Sequence, residues 1–100
     1  MPNNNKLVTK KLEKLFSKYP LYSQDGIPCE KKKVLVKYFG GSSYTCLVYE
    51  AKLLDDGDWL FFANITFDGY EWELGYVQLS QLSDVRFPPF GLPIERDLYF

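Results

Sequence analysis

The stretch Trp59-Leu-Phe-Phe-Ala-Asn-Ile-Thr-Phe67 decides the fold class, because it has the pattern of a β-strand that is apolar on both sides. Alternate residues of a strand point to opposite faces of a sheet. Leu60 and Phe62 therefore lie on one face, and Phe61 and Ala63 lie on the other. A strand of this kind belongs in the interior of a sheet, and each of its faces needs cover from another layer.

Further strands are predicted on both sides of this stretch. Alternating apolar and polar residues, separated by turns rich in Gly, Ser and Asp, indicate four strands, over residues 33–39, 44–53, 59–67 and 70–79. Asp68-Gly69 is a strong signal for a tight hairpin. Because the connections are short, we expect an antiparallel meander. Gly75 predicts a β-bulge in the fourth strand, and we expect Trp72 and Leu74 on the core side of that strand.

An amphipathic helix is predicted before the strands, over residues 9–19. Thr9 is a suitable N-cap, and Pro20 ends the helix. At about 100° per residue, lysines occupy one side of this helix and apolar residues occupy the other. The apolar side consists of Val8, Leu12, Leu15, Phe16 and Tyr19. This helix can cover one face of the sheet, and we expect residues 1–8 to be flexible.

The last segment, residues 80–100, is expected to form a short helix and a closing Pro-rich tail. If it were loose, its many aromatic residues would form a large exposed apolar patch. We therefore expect the tail to cover the second face of the sheet, with docking on a partner as the alternative. The predicted fold class is α+β, with residues 1–100 in one domain. An antiparallel sheet of about four strands spans residues 33–79, with an N-terminal helix and a packed C-terminal tail.

Charge is divided unevenly along the chain, although the formal net charge is only -1. Residues 1–37 carry nine lysines and three acids, whereas residues 38–100 carry three basic residues and ten acids. The lysines, including Lys31, Lys32 and Lys33, could form a phosphate-binding patch, or they could simply solvate an exposed surface. Nucleic acid is the less expected partner, because the sequence pI is near 5.3 and Arg86 and Arg96 are the two arginines.

The residues for common catalytic chemistry are sparse. The chain has no histidine and two cysteines, so the usual general base and a His/Cys zinc set are absent from the sequence. Glu71 and Glu73 could present paired carboxylates from one side of a strand, but alternating acids are more typical of a solvent-facing side. We expect no enzyme activity, no cofactor and no metal. Without an apolar leader or a membrane-spanning run, we also expect a cytoplasmic protein with no membrane partner.

Several motifs together resemble the domain-of-unknown-function family 2958. They are Leu21-Tyr-Ser-Gln-Asp25, Val34-Leu-Val-Lys-Tyr-Phe39, Glu73-Leu-Gly-Tyr-Val-Gln-Leu-Ser-Gln-Leu82 and Phe90-Gly-Leu-Pro-Ile-Glu-Arg-Asp-Leu-Tyr-Phe100. The resemblance extends from about residue 12 to residue 100. It implies a small bacterial protein carried by plasmids, phages or integrative elements, often beside antirestriction genes. It implies no activity, and no functional residues are carried over from it.

Three hypotheses of function follow. The first is a non-enzymatic protein-interaction module carried by a mobile element or phage, acting as an inhibitor or regulator of a host defence system, as a monomer or a homodimer. The alternatives are a protein that binds or sequesters a small molecule or nucleotide, and a weak nucleic-acid-binding accessory protein. The candidate contact residues are Lys31, Lys32, Lys33, Tyr38, Tyr44, Glu73 and Arg96, with Tyr22 and Tyr49 as further aromatic candidates.

Deletion of residues 93–100 tests the expected structural role of the tail. We expect the shortened protein to be insoluble or unfolded, because the deletion exposes the apolar surface that the tail covers. Solubility and thermal melting of the shortened and full-length proteins check this. A cooperative melt at the full-length temperature would contradict it.

Overall fold

The computed structural model describes residues 6–100, so the expected flexibility of residues 1–5 lies outside the described residues. The helices are α1 (Lys10–Ser17) and α2 (Leu79–Asp84), with a short 3-10 turn at Cys29–Lys31. The strands are β1 (Val36–Gly40), β2 (Tyr44–Leu53), β3 (Trp59–Thr66), β4 (Trp72–Gln78), β5 (Arg86–Phe87), β6 (Leu92–Pro93) and β7 (Glu95–Arg96). The main sheet has the order β4-β3-β2-β1-β7, all neighbours are antiparallel, and β5 pairs with β6 in a small second sheet. This architecture confirms the predicted α+β meander.

Helix α1 is held at its N-terminus by the predicted cap. The Thr9 hydroxyl accepts a hydrogen bond from the Leu12 amide at 3.2 Å, which satisfies one of the free N–H groups of the first turn. The helix ends at Ser17, two residues before the predicted end, and the Lys18 amide closes the last turn on the Leu15 carbonyl at 3.1 Å. The cap and this last turn fix the two ends of α1.

The core lies between α1 and one face of the sheet. Phe16 is fully buried, and its ring meets the rings of Trp59 and Phe61 edge to face, with centroids 5.1 and 5.3 Å away. Leu82 of α2 joins the same core. Leu7 and Val8, which belong to the segment expected to be flexible, also pack against this core.

The tail packs on the protein, as predicted, but it does not cover the second face of the sheet. Strand β7 instead adds to the sheet edge beside β1, where Arg96 lies opposite Tyr38. Ile94 joins the core that contains Phe16, and the Phe87 ring packs on the backbone at Gly40. The tail therefore extends the sheet and completes the core on the α1 side, and the other face of β3 lacks the cover that we expected from it.

The predicted bulge at Gly75 is wrong. Gly75 pairs with Ala63 in an uninterrupted ladder between β3 and β4, and the register shift lies in β2, between Val48 and Glu50. The extra residue there is Tyr49. Because of this extra residue, the Glu50 side chain lies on the same face of the sheet as Phe62, away from α1.

The two cysteines occupy different environments, which gives a test of the core. Cys46 is fully buried, and burial raises the pKa of its thiol to about 12, whereas Cys29 is half-buried. Since the thiolate is the reactive form, we expect one rapidly reacting thiol in the folded protein at pH 8 and two after unfolding. Titration with a thiol reagent before and after adding denaturant measures this. Two fast thiols in the folded protein would contradict the placement of Cys46.

The raised pKa of the Cys46 thiol also predicts how the stability of the protein changes with pH. An unfolded thiol ionises near pH 8.5, whereas the folded Cys46 stays protonated to a higher pH because its pKa is raised. The folded state then binds more protons than the unfolded state, so the free energy of unfolding falls as the pH rises above about 8.5. Denaturant unfolding at pH 7 and pH 10 checks this sign, with Cys46→Ala as the control in which the contribution is lost.

Candidate functional site

One face of the main sheet, on the side away from α1, carries exposed apolar residues. Cross-strand pairs share a face, and Phe62 is paired with Tyr76 and Thr66 with Trp72. We define the open face as Tyr22, Leu60, Phe62, Trp72, Leu74 and Tyr76. Trp72, Leu74 and Tyr76 are 41%, 49% and 51% exposed.

The expectation that Trp72 and Leu74 lie on the core side of β4 is therefore wrong. In the observed register, Gly75 pairs with Ala63 and Val77 with Phe61, so these smaller residues of β4 face α1. The bulkier residues of β4 consequently point to the opposite side.

A buried carboxylate holds the segment after α1 against the sheet beside the open face. Glu50 is 3% exposed, and its two carboxylate oxygens accept hydrogen bonds from the backbone amides of Tyr22 and Gln24, at 2.7 and 2.8 Å. The Gln24 side chain is also buried; it donates to the carbonyls of Lys33 and Tyr49, and it accepts from the Lys33 amide. Charge-assisted bonds of this kind offset the cost of burying a carboxylate.

This network positions Tyr22 at the rim of the open face. Tyr22 has a backbone φ of +71°, in the left-handed region that a side chain normally disfavours, and the Glu50 bond to its amide holds it there. The neighbouring Tyr22 side chain raises the pKa of the Tyr76 phenol. The Phe62 and Tyr76 rings are in contact, with centroids 5.2 Å apart. These three aromatic residues line a cleft of about 100 Å³ together with Asp25, Lys32 and Glu50.

Strand β4 forms one edge of the main sheet. It pairs with β3 on one side, and on its other side no strand from residues 6–100 pairs with it. In an antiparallel ladder, every second residue of such a strand points its N–H and C=O groups outward. Edge strands are commonly protected by lysine, proline or a bulge. The seven residues of β4 contain none of these, and their one charged side chain is Glu73.

A second surface, the basic groove, lies between α1 and the end of the tail and encloses about 580 Å³. Its basic side chains are Lys11, Lys14, Lys18, Lys33 and Arg96, and its apolar residues include Leu12, Leu15, Val34, Leu35, Leu98 and Phe100. The Arg96 Nε donates to the Lys6 carbonyl at 2.7 Å, which ties the tail to the segment before α1.

The structure separates most of the predicted contact residues. Lys33 and Arg96 both line the basic groove. Lys31 is exposed at the end of the 3-10 turn, and Lys32 Nζ donates to the Gln24 carbonyl within the segment that Glu50 holds.

The aromatic and acidic candidates lie elsewhere. Tyr38 is fully buried, and its hydroxyl donates to the Leu7 carbonyl at 2.6 Å. Tyr44 is buried beside Phe87, and Glu73 is exposed at the β4 edge. The structure thus places Tyr38 and Tyr44 in the core, which leaves them little surface for a partner.

The residues that sequence reasoning missed are Trp72, Leu74 and Tyr76 on the open face, and Glu50 behind it. The first three recur at every second position, which is the signal of a single strand face. That signal does not say whether the face is covered. Glu50 had no local signal, because its partners lie 26 and 28 residues away.

Within residues 6–100, no group of three or more His, Cys, Asp and Glu residues is placed to hold a metal ion. Over this range, no helix is both long enough and apolar enough to cross a membrane.

Tryptophan fluorescence tests the placement of the open face. Trp59 is 8% exposed in the core, whereas Trp72 is 41% exposed on the open face. We expect Trp72→Phe, which retains Trp59, to emit at shorter wavelength and to resist acrylamide quenching. Trp59→Phe, which retains Trp72, should emit at longer wavelength and be quenched readily. Equal quenching of the two folded variants would contradict the assignment of faces, and equal quenching after unfolding is the control.

Comparison with known proteins agrees with the motifs. A family model described as "Protein of unknown function (DUF2958)" matches residues 22–100. Searches of curated proteins and of solved structures gave no match. The matched range contains β1 to β7, the open face and the segment that Glu50 holds, whereas α1 precedes it. The chain therefore belongs to the DUF2958 family of proteins of unknown function.

Proposed function

We propose that this protein is a non-enzymatic protein-interaction module whose partner packs on the open face and beside the β4 edge. The observation that carries the proposal is the position of Trp72, Leu74 and Tyr76, which are exposed together on a strand that has one edge unpaired by any strand of residues 6–100. Contiguous exposed apolar residues are typical of binding surfaces.

The residue types on the open face support binding to a protein. Trp and Tyr are enriched among the residues that dominate interface energies, because they bury a large area while keeping a polar group available. Here they are also held in place before binding. Trp72 and Tyr76 lie on a paired strand, and Tyr22 is fixed by the Glu50 carboxylate. Ordering them on binding therefore costs little conformational entropy.

The β4 edge supports a specific mode of binding. A partner strand can add to an exposed sheet edge through main-chain hydrogen bonds, while its alternate side chains select the partner. A strand added beside β4 would continue the sheet, and half of its side chains would share the open face with Trp72 and Tyr76. The edge and the face thus form one surface for an extended segment of a partner.

The biological role within the proposal comes from the family resemblance and from the sequence. We place the protein in the bacterial cytoplasm, carried by a mobile element or phage, where it inhibits or regulates a host defence protein. The lack of histidine in the sequence and the exposed position of Glu73 support a role without catalysis. The net charge of -1 gives nucleic-acid binding less support.

Site-specific photocrosslinking tests the proposal in the bacterial host. A photoreactive phenylalanine is placed at Tyr76 on the open face or, as a control, at Tyr99, which is fully exposed in the tail. We expect one defined protein adduct from position 76 and not from position 99. An adduct with a second copy would make the partner this chain itself. Equal adducts at both positions, or none at position 76, would contradict the proposal.

Two substitutions on neighbouring residues of β4 make the test specific to one face. Leu74 lies on the open face, whereas Glu73 pairs with Ile65 on the opposite face. We expect Leu74→Lys to reduce capture of the crosslinked partner by at least about tenfold, because the ammonium group loses water in an apolar contact. Glu73→Gln changes the neighbouring residue on the opposite face without adding a lysine to the β4 edge, and it should leave capture within about twofold. Thermal melting confirms that both variants fold. Equal effects of the two substitutions would count against the open face.

A further inference from the structure

The basic groove is a second candidate binding site, and its shape suits a small ligand. Pockets of about 300–1,000 Å³ are typical for small molecules, and the groove encloses about 580 Å³. It lies on the α1 side of the sheet, opposite the open face, so its occupation is independent of the proposed interaction module.

The side-chain charges in the groove are strongly unbalanced. Basic side chains come from α1, from the segment before β1 and from β7, whereas the acidic side chain in the lining is Asp97. The Asp97 carboxylate also lies 3.8 Å from the Lys37 Nζ. Positive side chains gathered in a concave site raise the local concentration of anions.

The lysines of α1 repel one another in the absence of a ligand. Lys11, Lys14 and Lys18 follow at spacings of three and four, which places them as neighbours on one side of the helix. Like charges at these spacings destabilise a helix by about 0.2–0.5 kcal/mol per pair. A bound anion would relieve this repulsion.

The groove also offers apolar surface beside these charges. Leu12 and Leu15 line it from α1, and Leu98 and Phe100 line it from the tail. Phe100 is largely exposed, so its ring is available for stacking. A ligand that matches both features has an anionic end and a planar apolar body.

We propose that the basic groove binds an organic phosphate of nucleotide size. The phosphates would lie among Lys14, Lys18 and Lys33, with Arg96 as a further donor, and the base would lie on Leu98 and Phe100. A phosphate carries enough charge and enough acceptor oxygens to meet several basic side chains at once. The limited volume favours a nucleotide over a nucleic-acid strand.

Calorimetric titration of the full chain at low ionic strength tests this proposal with ATP, AMP, adenosine and inorganic phosphate. We expect saturable binding of ATP, weaker binding of AMP and of phosphate, and no binding of adenosine. Saturable ATP binding should weaken steeply with added salt. Failure of ATP to bind, or binding of adenosine as tight as that of ATP, would overturn the proposal. Phosphate binding as tight as that of ATP would overturn the role of the apolar surface.

Two double variants with the same change in net charge distinguish ATP binding in the groove from a general electrostatic attraction of ATP to the protein surface. Lys14→Gln with Lys18→Gln removes two groove lysines, and Lys10→Gln with Lys31→Gln removes two exposed lysines outside it. We expect the first pair to weaken ATP binding at least about tenfold and the second to change it less than about twofold. All four of these lysine side chains are exposed, so the substitutions leave the contacts of α1 with the core unchanged. Equal loss in the two double variants would overturn the assignment.

Discussion

The packing of Phe16 against Trp59 and Phe61 determines which side of the sheet becomes the core. Helix α1 has eight residues, which corresponds to a length of about 12 Å, so it covers part of one face. Leu82 and Ile94 complete the cover on that same face. Strand β3 is apolar on both faces, so the sheet is left with one apolar face that no helix covers within residues 6–100. The candidate interaction surface is a consequence of this one-sided packing.

Glu50 connects that core to the surface. Its carboxylate is almost completely buried and is satisfied by the amides of Tyr22 and Gln24. Removing it would leave two backbone donors without their partner, which is costly in a buried position. The bulge in β2 turns Glu50 toward this segment, so the same irregularity that interrupts the ladder also fixes Tyr22 beside Tyr76. The shape of the open face therefore depends on a contact between residues that are distant in sequence.

Periodicity and capping were sufficient to predict the main elements. The spacing of apolar residues located α1 and strands β1 to β4, and Thr9 located the start of the helix, because these signals depend on neighbours in sequence. The bulge position and the exposed side of β4 were not predictable in this way. Both depend on long-range partners: Glu50 needs the segment after α1, and the orientation of Trp72 follows from its register with Thr66. Likewise, Lys33 and Arg96 line one groove because β7 pairs with β1, and no local pattern in the sequence indicates that pairing.

The central claim is that the open face is covered by a partner in the cell. Hydroxyl-radical footprinting tests it most directly, by comparing oxidation of aromatic side chains in the purified protein with oxidation in the bacterial host. Trp72 and Tyr76 report on the open face, and the highly exposed Tyr70 and Tyr99 are internal controls. All four should be oxidised in the purified protein, whereas in the cell Trp72 and Tyr76 should be protected relative to Tyr70 and Tyr99. Equal oxidation of Trp72 and Tyr76 in the cell and in the purified protein would contradict the claim.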